Sequence, residues 1–308
     1  MPIHPFQPLR GRIEIIQIDS TAFKDNFLGD PFTRQIAVYL PPDYDSSNTE
    51  YPLFVDLVGF TGSGFSHLNW KAYTESLPQR LERLVDEGKM GPVVCALPDC
   101  FTSMGGNQYI NSSVMGMWAD FLIGDMIPAL EARFRVKKGR ENRACFGKSS
   151  GGYGSVVHGM RYANAWGAIA SHSGDMGFDW VYRNDFPRTL DKLAKHDGIS
   201  GFMEHIRTSQ KISSGAFHTL MTLAMAATYD PNPALEHGIQ LPVDMRTCRL
   251  DSERWAQWLS HDPMHMIEEQ SCQESLRSLK AVYIDCGSRD QYLIHYGARQ
   301  LTARLDDL

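Results

Sequence analysis

Several features that would define a class of protein are missing from this 308-residue sequence. No apolar run approaches the roughly 18–20 residues that a helix needs to cross a bilayer, so we expect no membrane partner. The first residues, Met1–Pro5, show no basic segment followed by an apolar one, so no signal peptide is indicated. Lysine and arginine total 30 against 36 acidic residues, with no basic cluster, which argues against nucleic acid as a partner.

Cysteine is scarce, and its spacing excludes two kinds of site. The six cysteines include no Cys-x-x-Cys pair, so neither a zinc knuckle nor a thioredoxin-type redox pair is indicated. Cys95 and Cys145 lie in apolar runs typical of buried strands, where a free cysteine packs as a small hydrophobic residue. We therefore expect a reduced, cytoplasmic protein.

Metal chemistry is also poorly supported. His261 and His265 have the spacing of a metal-binding pair on a helix, but Pro263 lies between them and no carboxylate motif follows. Pro263 at the start of a helix that Asp262 caps explains the same residues. We expect no metal and no cofactor.

Strand-like and helix-like segments alternate along most of the chain, which predicts an α/β fold with a mostly parallel central sheet flanked by helices. The predicted strands are Arg12–Ile18, Gln35–Leu40, Leu53–Val58, Val93–Leu97, Arg143–Phe146, Ala168–Ser171 and Ala281–Cys286. The predicted helices are Leu77–Glu87, Val114–Phe134 with a kink at Pro128, Ser150–Tyr162 and Leu293–Leu308.

One segment of about a hundred residues breaks this alternation. Residues 175–275 are helix-rich and carry Trp180, Trp255 and Trp258. An insertion between strands is most simply a helical lid, or cap, over one end of the sheet, although it could merely thicken the scaffold. We expect a core formed by residues 1–174 and 276–308, with residues 175–275 as the lid.

The pentapeptide Gly147–Gly151 fits the pattern G-x-S-x-G. This pattern carries a nucleophile when it joins a strand to a helix and places the serine on a tight turn. Here Ala144–Phe146 precedes it, and a run of small residues begins the following helix. A phosphate-binding loop is the rival interpretation, but Asn142 stands where that motif needs glycine. Ser149 is therefore a candidate nucleophile.

With this elbow in view, the chain resembles the esterase branch of the α/β-hydrolase superfamily, which includes S-formylglutathione hydrolases, enterochelin esterases and bacterial mycolyltransferases. The resemblance covers most of the chain. Its matching segments, in order, are Tyr39–Tyr44, Tyr51–Phe60, the elbow, Ser171–Gly174 and Tyr283–Asp290. It implies an α/β-hydrolase fold with a helical lid.

The resemblance also implies roles for individual residues. Ser149 would attack the acyl carbonyl and form an acyl-enzyme. The backbone N–H groups of Ser150 and Phe60 would form the oxyanion hole, although Val58-Gly59 stands where many relatives have His-Gly or Ser-Gly. Asp290 would be the acid that orients a histidine, with Asp285 as a competitor better suited to a structural hydrogen bond.

The histidine is missing from its expected place. In relatives it lies after one further strand, whereas only His295 follows Asp290 here. We hypothesise that these 308 residues are a C-terminally shortened form, and that the natural chain continues for roughly 30–40 residues as strand, His-bearing loop and helix. His172 is a candidate pocket residue, as are Lys148, Trp180 and Trp258.

The function that follows is a serine carboxylester hydrolase acting on small to medium acyl esters, impaired in this form if no base is present. The alternatives are a thioesterase of the S-formylglutathione hydrolase type and an impaired hydrolase fold that binds its ligand without turning it over. The expected partner is a small-molecule ester, and the sequence leaves a homodimer open.

Overall fold

A seven-stranded sheet forms the centre of the protein. The structure is a computed structural model and describes residues 6–308. Its strand order is β1-β2-β4-β3-β7-β8-β9, and β5 and β6 form a separate hairpin. The strands are β1 (Arg12–Asp19), β2 (Thr33–Leu40), β3 (Leu53–Leu57), β4 (Val94–Pro98), β5 (Asn111–Ser112), β6 (Gly116–Met117), β7 (Arg143–Lys148), β8 (Ala168–His172) and β9 (Ala281–Asp285).

Helices flank the sheet and also make up much of residues 175–275, which we call the cap. They are α1 (Leu77–Asp86), α2 (Trp118–Asp120), α3 (Ile127–Arg133), α4 (Ser150–Arg161), α5 (Phe178–Val181), α6 (Phe186–Ala194), α7 (Ile199–Thr208), α8 (Ser214–Tyr229), α9 (Ser252–Leu259), α10 (Pro263–Met266), α11 (Gln270–Arg277) and α12 (Ile294–Asp306). No helix of residues 6–308 has the length and apolar character that crossing a membrane requires.

The sheet is mostly parallel, as predicted. β1 pairs with β2 and β2 with β4 in antiparallel fashion, whereas β4, β3, β7, β8 and β9 run parallel. The carboxyl ends of the parallel strands therefore meet at one edge. In such sheets ligands bind at that edge.

Burial explains why the central strands were readable from sequence. Every residue of β4 is buried, and Leu53, Val55 and Leu57 of β3 are inaccessible to solvent. Strands covered on both faces read as continuous apolar runs, and those runs are what the sequence shows. All seven predicted strands are confirmed, with ends that differ by one or two residues.

The helix predicted over Val114–Phe134 is the largest deviation. The chain first makes the β5-β6 hairpin, and helical structure begins only at Trp118. A π-helical segment, Phe121–Met126, then joins α2 to α3, with Pro128 in the first turn of α3. Proline has no N–H to continue the hydrogen-bond ladder, so the irregular turn lies just before it.

The predicted lid divides in two. α6 packs against α8 above the carboxyl edge of the sheet, whereas α11 packs against α4 beside the sheet and crosses the predicted boundary at residue 275. Asp262 ties the two parts together, because its carboxylate accepts hydrogen bonds from the backbone N–H groups of Gly177 and Phe178. Asp262 also caps α10, as predicted.

The outer strand of the sheet and the six cysteines are the remaining features of the core. β9 is the outer strand of the described sheet, with Tyr283 53% exposed. All six cysteines are free, and Cys95 and Cys145 are buried as expected. The predicted absence of a signal peptide concerns Met1–Pro5, which lie outside the described residues.

Candidate active site

Ser149 lies on a strained turn between β7 and α4. Its φ of 56° and ψ of −122° place it where a residue with a side chain is rarely found. A Cβ on Gly147 or Gly151 would come within 2.1 or 1.7 Å of the carbonyl oxygen of Leu57. The two glycines of the motif are therefore required by the close approach of β3, and the strain sits on the serine between them.

The side chain of Ser149 opens into a cavity of about 220 Å³. The core and the cap both line it. The core contributes Gly59, Phe60, Lys148 and Ser149, the segments flanking the cap contribute Asp175 and Tyr292, and the cap helices and their ends contribute Val181, Tyr182, Phe217 and Met221. Apolar side chains from the cap thus face the serine hydroxyl, which suits an acyl group.

The loop after β3 passes directly beside the serine. A Cβ on Gly59 would lie 3.4 Å from the Cβ of Ser149. The N–H groups of Phe60 in this loop and of Ser150 at the start of α4 take part in no hydrogen bond within residues 6–308. Both remain available to donate to a ligand, which an oxyanion hole requires.

Other hydrogen bonds hold this loop in place despite its unusual Val58-Gly59 sequence. The hydroxyl of Tyr109 donates to the carbonyl of Val58 at 2.6 Å. The N–H of Thr61 donates to Gly105 at 2.8 Å, and that of Gly62 to Gly59 at 2.9 Å. Backbone contacts and one tyrosine therefore anchor the loop.

Among residues 6–308, Asp175 is the carboxylate that accepts a hydrogen bond from the serine hydroxyl. Ser149 Oγ lies 3.5 Å from Asp175 Oδ1 and donates to it. Asp175 Oδ2 accepts from the Tyr182 hydroxyl at 2.9 Å and from Gln108 Nε2 at 3.2 Å. Burial raises the pKa of Asp175 to about 6, although these hydrogen bonds partly oppose the rise.

Asp175 was not predicted as a site residue, because in the sequence it is only the first residue of the predicted lid. The available signal was its position just after Ser171–Gly174, where the strand beside the elbow strand ends. Neighbouring parallel strands bring their carboxyl ends together, so a carboxylate at that point lies near the nucleophile.

Asp290 lies at the turn that leads into α12. Its Oδ1 accepts hydrogen bonds from the backbone N–H groups of Tyr292 at 2.9 Å and Ile294 at 3.4 Å. Its charge contributes to the raised pKa of Asp175, and Tyr292 lines the Ser149 cavity. Asp290 is therefore close to the site, but it does not hydrogen-bond Ser149 or any histidine within residues 6–308.

Neither candidate histidine reaches the serine. His172 Nδ1 lies 2.7 Å from Asp285 Oδ1, and the ring faces a neighbouring cavity of about 340 Å³. His295 is buried in α12, with its ring against Tyr296, and its Nδ1 has no hydrogen-bond partner within residues 6–308. Among residues 6–308, no histidine hydrogen-bonds Ser149 Oγ.

The tryptophans proposed as pocket residues lie elsewhere. Trp258 is completely buried, with its ring 5.7 Å from those of Tyr182 and Phe186, so it forms part of the core of the cap. Trp180 is 51% exposed and lies against Tyr296. Lys148 does line the Ser149 cavity, and it lines the neighbouring one as well. The lining of the Ser149 cavity includes Phe217 and Met221 and neither of these tryptophans.

The sequence is similar to those of known proteins. The model of the family described as "Putative esterase" matches residues 31–304. An esterase of Mycobacterium tuberculosis strain H37Rv is 30% identical over 146 residues, which cover 45% of this chain and 28% of that protein. An uncharacterized protein of Bacillus subtilis strain 168 is 25% identical over 161 residues, which cover 47% of this chain and 58% of that protein. Both matches span less than two thirds of the relative.

Solved structures show the same fold. A ferulic acid esterase superposes with a TM-score of 0.59 at 16% identity, covering 98% of this chain and 86% of that one. An S-formylglutathione hydrolase from Staphylococcus aureus superposes with a TM-score of 0.51 at 12% identity, covering 96% of this chain and 87% of that one. The predicted α/β-hydrolase fold is confirmed.

Proposed function

Because the chain belongs to the esterase family whose model matches residues 31–304, we propose that it is a serine carboxylester hydrolase acting on small-molecule esters. One observation carries the proposal. Ser149 is held in a strained conformation beside two backbone N–H groups that have no other partner within residues 6–308. A nucleophile and preorganised donors around one cavity are the parts that acyl transfer needs.

The proposed reaction proceeds through an acyl-enzyme. Ser149 Oγ attacks the ester carbonyl, and the N–H groups of Phe60 and Ser150 donate to the oxygen that becomes negatively charged. Collapse of this intermediate expels the alcohol, and water then releases the acid. The acyl group occupies the space beside Phe217 and Met221, which supports small to medium chains in a cavity of about 220 Å³.

Asp290 remains part of the proposal as the acid. Both of its backbone hydrogen bonds use Oδ1, so Oδ2 takes no hydrogen bond from residues 6–308 and can accept one from a histidine. It follows β9 at the carboxyl edge of the sheet, where the resemblance places the acid. The histidine that this carboxylate would orient is not among the contacts of Ser149 within residues 6–308.

Labelling with a fluorophosphonate tests the proposed function. The probe phosphonylates an activated serine, so intact-mass analysis of the native protein should show one adduct, located on Ser149 by peptide mapping. Ser149→Ala should take up no label and lose ester cleavage by several orders of magnitude, because removing the nucleophile leaves only residual catalysis. Unchanged turnover of p-nitrophenyl acetate by the purified variant would refute the assignment.

The alternative considered from sequence is a hydrolase fold that binds an ester without turning it over. That protein would bind an ester product or analogue in a titration but would take no fluorophosphonate. Comparison of p-nitrophenyl acetate with S-formylglutathione separates an esterase from the thioesterase considered from sequence.

The location and assembly of the protein also remain proposals. A cytoplasmic location is supported by the six free cysteines, since secreted proteins commonly pair theirs. Fractionation of cells followed by immunoblotting tests it. The homodimer is a prediction that light scattering after gel filtration checks directly.

A further inference from the structure

A second cavity lies beside the Ser149 cavity. Its volume is about 340 Å³, and Lys148 lines both cavities. Lys148 is the last residue of β7, and the next residue along the chain is the proposed nucleophile. Both cavities therefore adjoin the elbow.

The register of the sheet explains why Lys148 lines the second cavity. Lys148 pairs with His172 on β8, and Phe146 pairs with Asp56 on β3. Residues two apart on a strand, and residues paired across two strands, project from the same face of a sheet. These four residues all line the second cavity, whereas Ser149 leaves the strand and opens into the first.

The carboxylates that line the second cavity are already paired. Asp56 Oδ2 lies 2.5 Å from His67 Nδ1, and Glu75 Oε1 accepts a hydrogen bond from Arg80 Nε at 3.2 Å. The ammonium group of Lys148, in contrast, takes part in no hydrogen bond or ion pair within residues 6–308. Lys148 therefore remains available to bind a ligand.

The charges around the second cavity favour a ligand with one negative charge. The lining includes three cationic side chains, those of Lys71, Arg80 and Lys148, and two carboxylates, those of Asp56 and Glu75. The first turn of α1 also lines the cavity and adds partial positive charge. A carboxylate balances this small excess of positive charge, whereas a phosphate with two negative charges would exceed it.

Two histidines supply further polar atoms to the second cavity. His67 directs Nδ1 at Asp56, and His172 directs Nδ1 at Asp285 at 2.7 Å. These contacts orient the two rings, and neither Nε2 has a hydrogen-bond partner within residues 6–308. A ligand in the second cavity therefore meets polar atoms in defined positions as well as Lys148.

We propose that the second cavity binds the alcohol part of the ester and that Lys148 selects alcohols that carry a carboxylate. An ester extends in two directions from the carbonyl carbon that Ser149 attacks, and the two cavities meet at Lys148. The acyl group occupies the space beside Phe217 and Met221, which leaves the second cavity for the alcohol. This inference rests on the proposed esterase function and names the substrate class of the same site.

Two matched acetate esters test the proposal on the unchanged chain. One is the acetate of a p-nitrophenol that carries a carboxylate on its ring, and the other is the acetate of the corresponding carboxamide. Both release a coloured phenol and form the same acetyl-enzyme, so the ratio of their kcat/KM values reports the leaving group alone. Lys148→Met should lower the ratio of carboxylate to carboxamide ester roughly fivefold, mainly through KM, which is the size that one exposed ion pair gives.

Two variants and the salt concentration serve as controls. Lys148→Arg keeps the positive charge and should keep the ratio within about twofold of the original. Lys138→Met changes the net charge equally, but Lys138 is exposed and lines neither cavity, so the ratio should not change. Added salt should lower the ratio for the unchanged protein more than for Lys148→Met, because it screens the ion pair. Circular dichroism checks that each variant is folded.

The outcomes separate the two proposals. If the unchanged chain cleaves neither ester, the proposed function fails, and the inference that rests on it fails as well. If both esters are cleaved but Lys148→Met leaves their ratio unchanged, only the role of Lys148 is overturned. An equal fall of the ratio in Lys138→Met would attribute the preference to overall charge and would also overturn that role.

Discussion

The buried carboxylate of Asp175 should destabilise the fold at neutral pH, and Asp175→Asn should relieve that cost. Asp175 is 4% exposed, and its pKa of about 6 in the folded protein compares with 3.8 for the free side chain. Between pH 3.8 and about pH 6, Asp175 keeps its proton in the folded protein but has lost it in the unfolded chain. Stability therefore falls as pH rises from about 4 to about 6, and the full cost is present above pH 6.

The expected magnitude follows from the same two pKa values. A pKa difference of about 2 corresponds to about 3 kcal/mol, since each pKa unit is worth 1.36 kcal/mol. The asparagine is neutral at all pH values in question. Its carbonyl can still accept from Tyr182 and Gln108, while its amide can donate to Ser149 Oγ. The change should thus remove the charge while keeping an acceptor for Tyr182 and Gln108.

Thermal unfolding at pH 4 and pH 7.5 measures this effect. At pH 7.5 the asparagine variant should melt roughly 6 °C or more above the unchanged protein, taking about 2 °C per kcal/mol for a chain of this size. At pH 4 the two melting temperatures should nearly coincide. Other carboxylates titrate in the same range, but they are common to both proteins and cancel in the difference.

Two results would refute the reasoning. Equal melting temperatures at pH 7.5 would mean that Asp175 carries no unfavourable charge in the folded state. A variant less stable than the unchanged protein at both pH values would mean that the ionised carboxylate makes stronger contacts than its burial costs.

Three further predictions follow from burial and close contact. Gly151→Ala should prevent stable folding, because the new Cβ would lie 1.7 Å from a carbonyl oxygen of β3. Gly124→Ala is the control, since Gly124 has open space around it and the variant should melt at or above the original temperature. A soluble Gly151→Ala protein that the fluorophosphonate labels would contradict this prediction. Burial lowers the pKa of His158 to about 4 in the folded protein. Between pH 6.5 and 4 the unfolded chain therefore binds a proton at this histidine that the folded protein does not bind. The free energy of unfolding should fall by about 3 kcal/mol over that interval. Urea unfolding should show a flatter pH dependence over that interval for His158→Gln, and an unchanged slope would rule out this source of acid sensitivity. Phe217→Ala enlarges the Ser149 cavity and should raise the kcat/KM of p-nitrophenyl butyrate relative to the acetate roughly tenfold, and an unchanged ratio would exclude Phe217 from acyl selection.

The seven strands of the central sheet and the nucleophile elbow could be predicted from the sequence alone. The buried strands are apolar along their whole length, and a continuous apolar run followed by a turn is a local signal. The elbow could also be predicted from a local signal, because the two glycines that it requires, Gly147 and Gly151, lie within a few residues of Ser149. The helix over Val114–Phe134 was overextended because the β5-β6 hairpin interrupts an apolar stretch without proline or an Asn-Gly turn.

The groups that surround the serine could not be predicted from the sequence, because they come together only when separate elements pack. Asp175, Phe217 and Tyr292 are far apart in sequence, and the packing of the cap on the sheet brings them to one cavity. Packing likewise turned Trp258 into the core of the cap and Trp180 towards solvent, although both belong to the same predicted lid. Composition sets what a segment can bury, but the side chain that reaches a given atom depends on how separate elements pack.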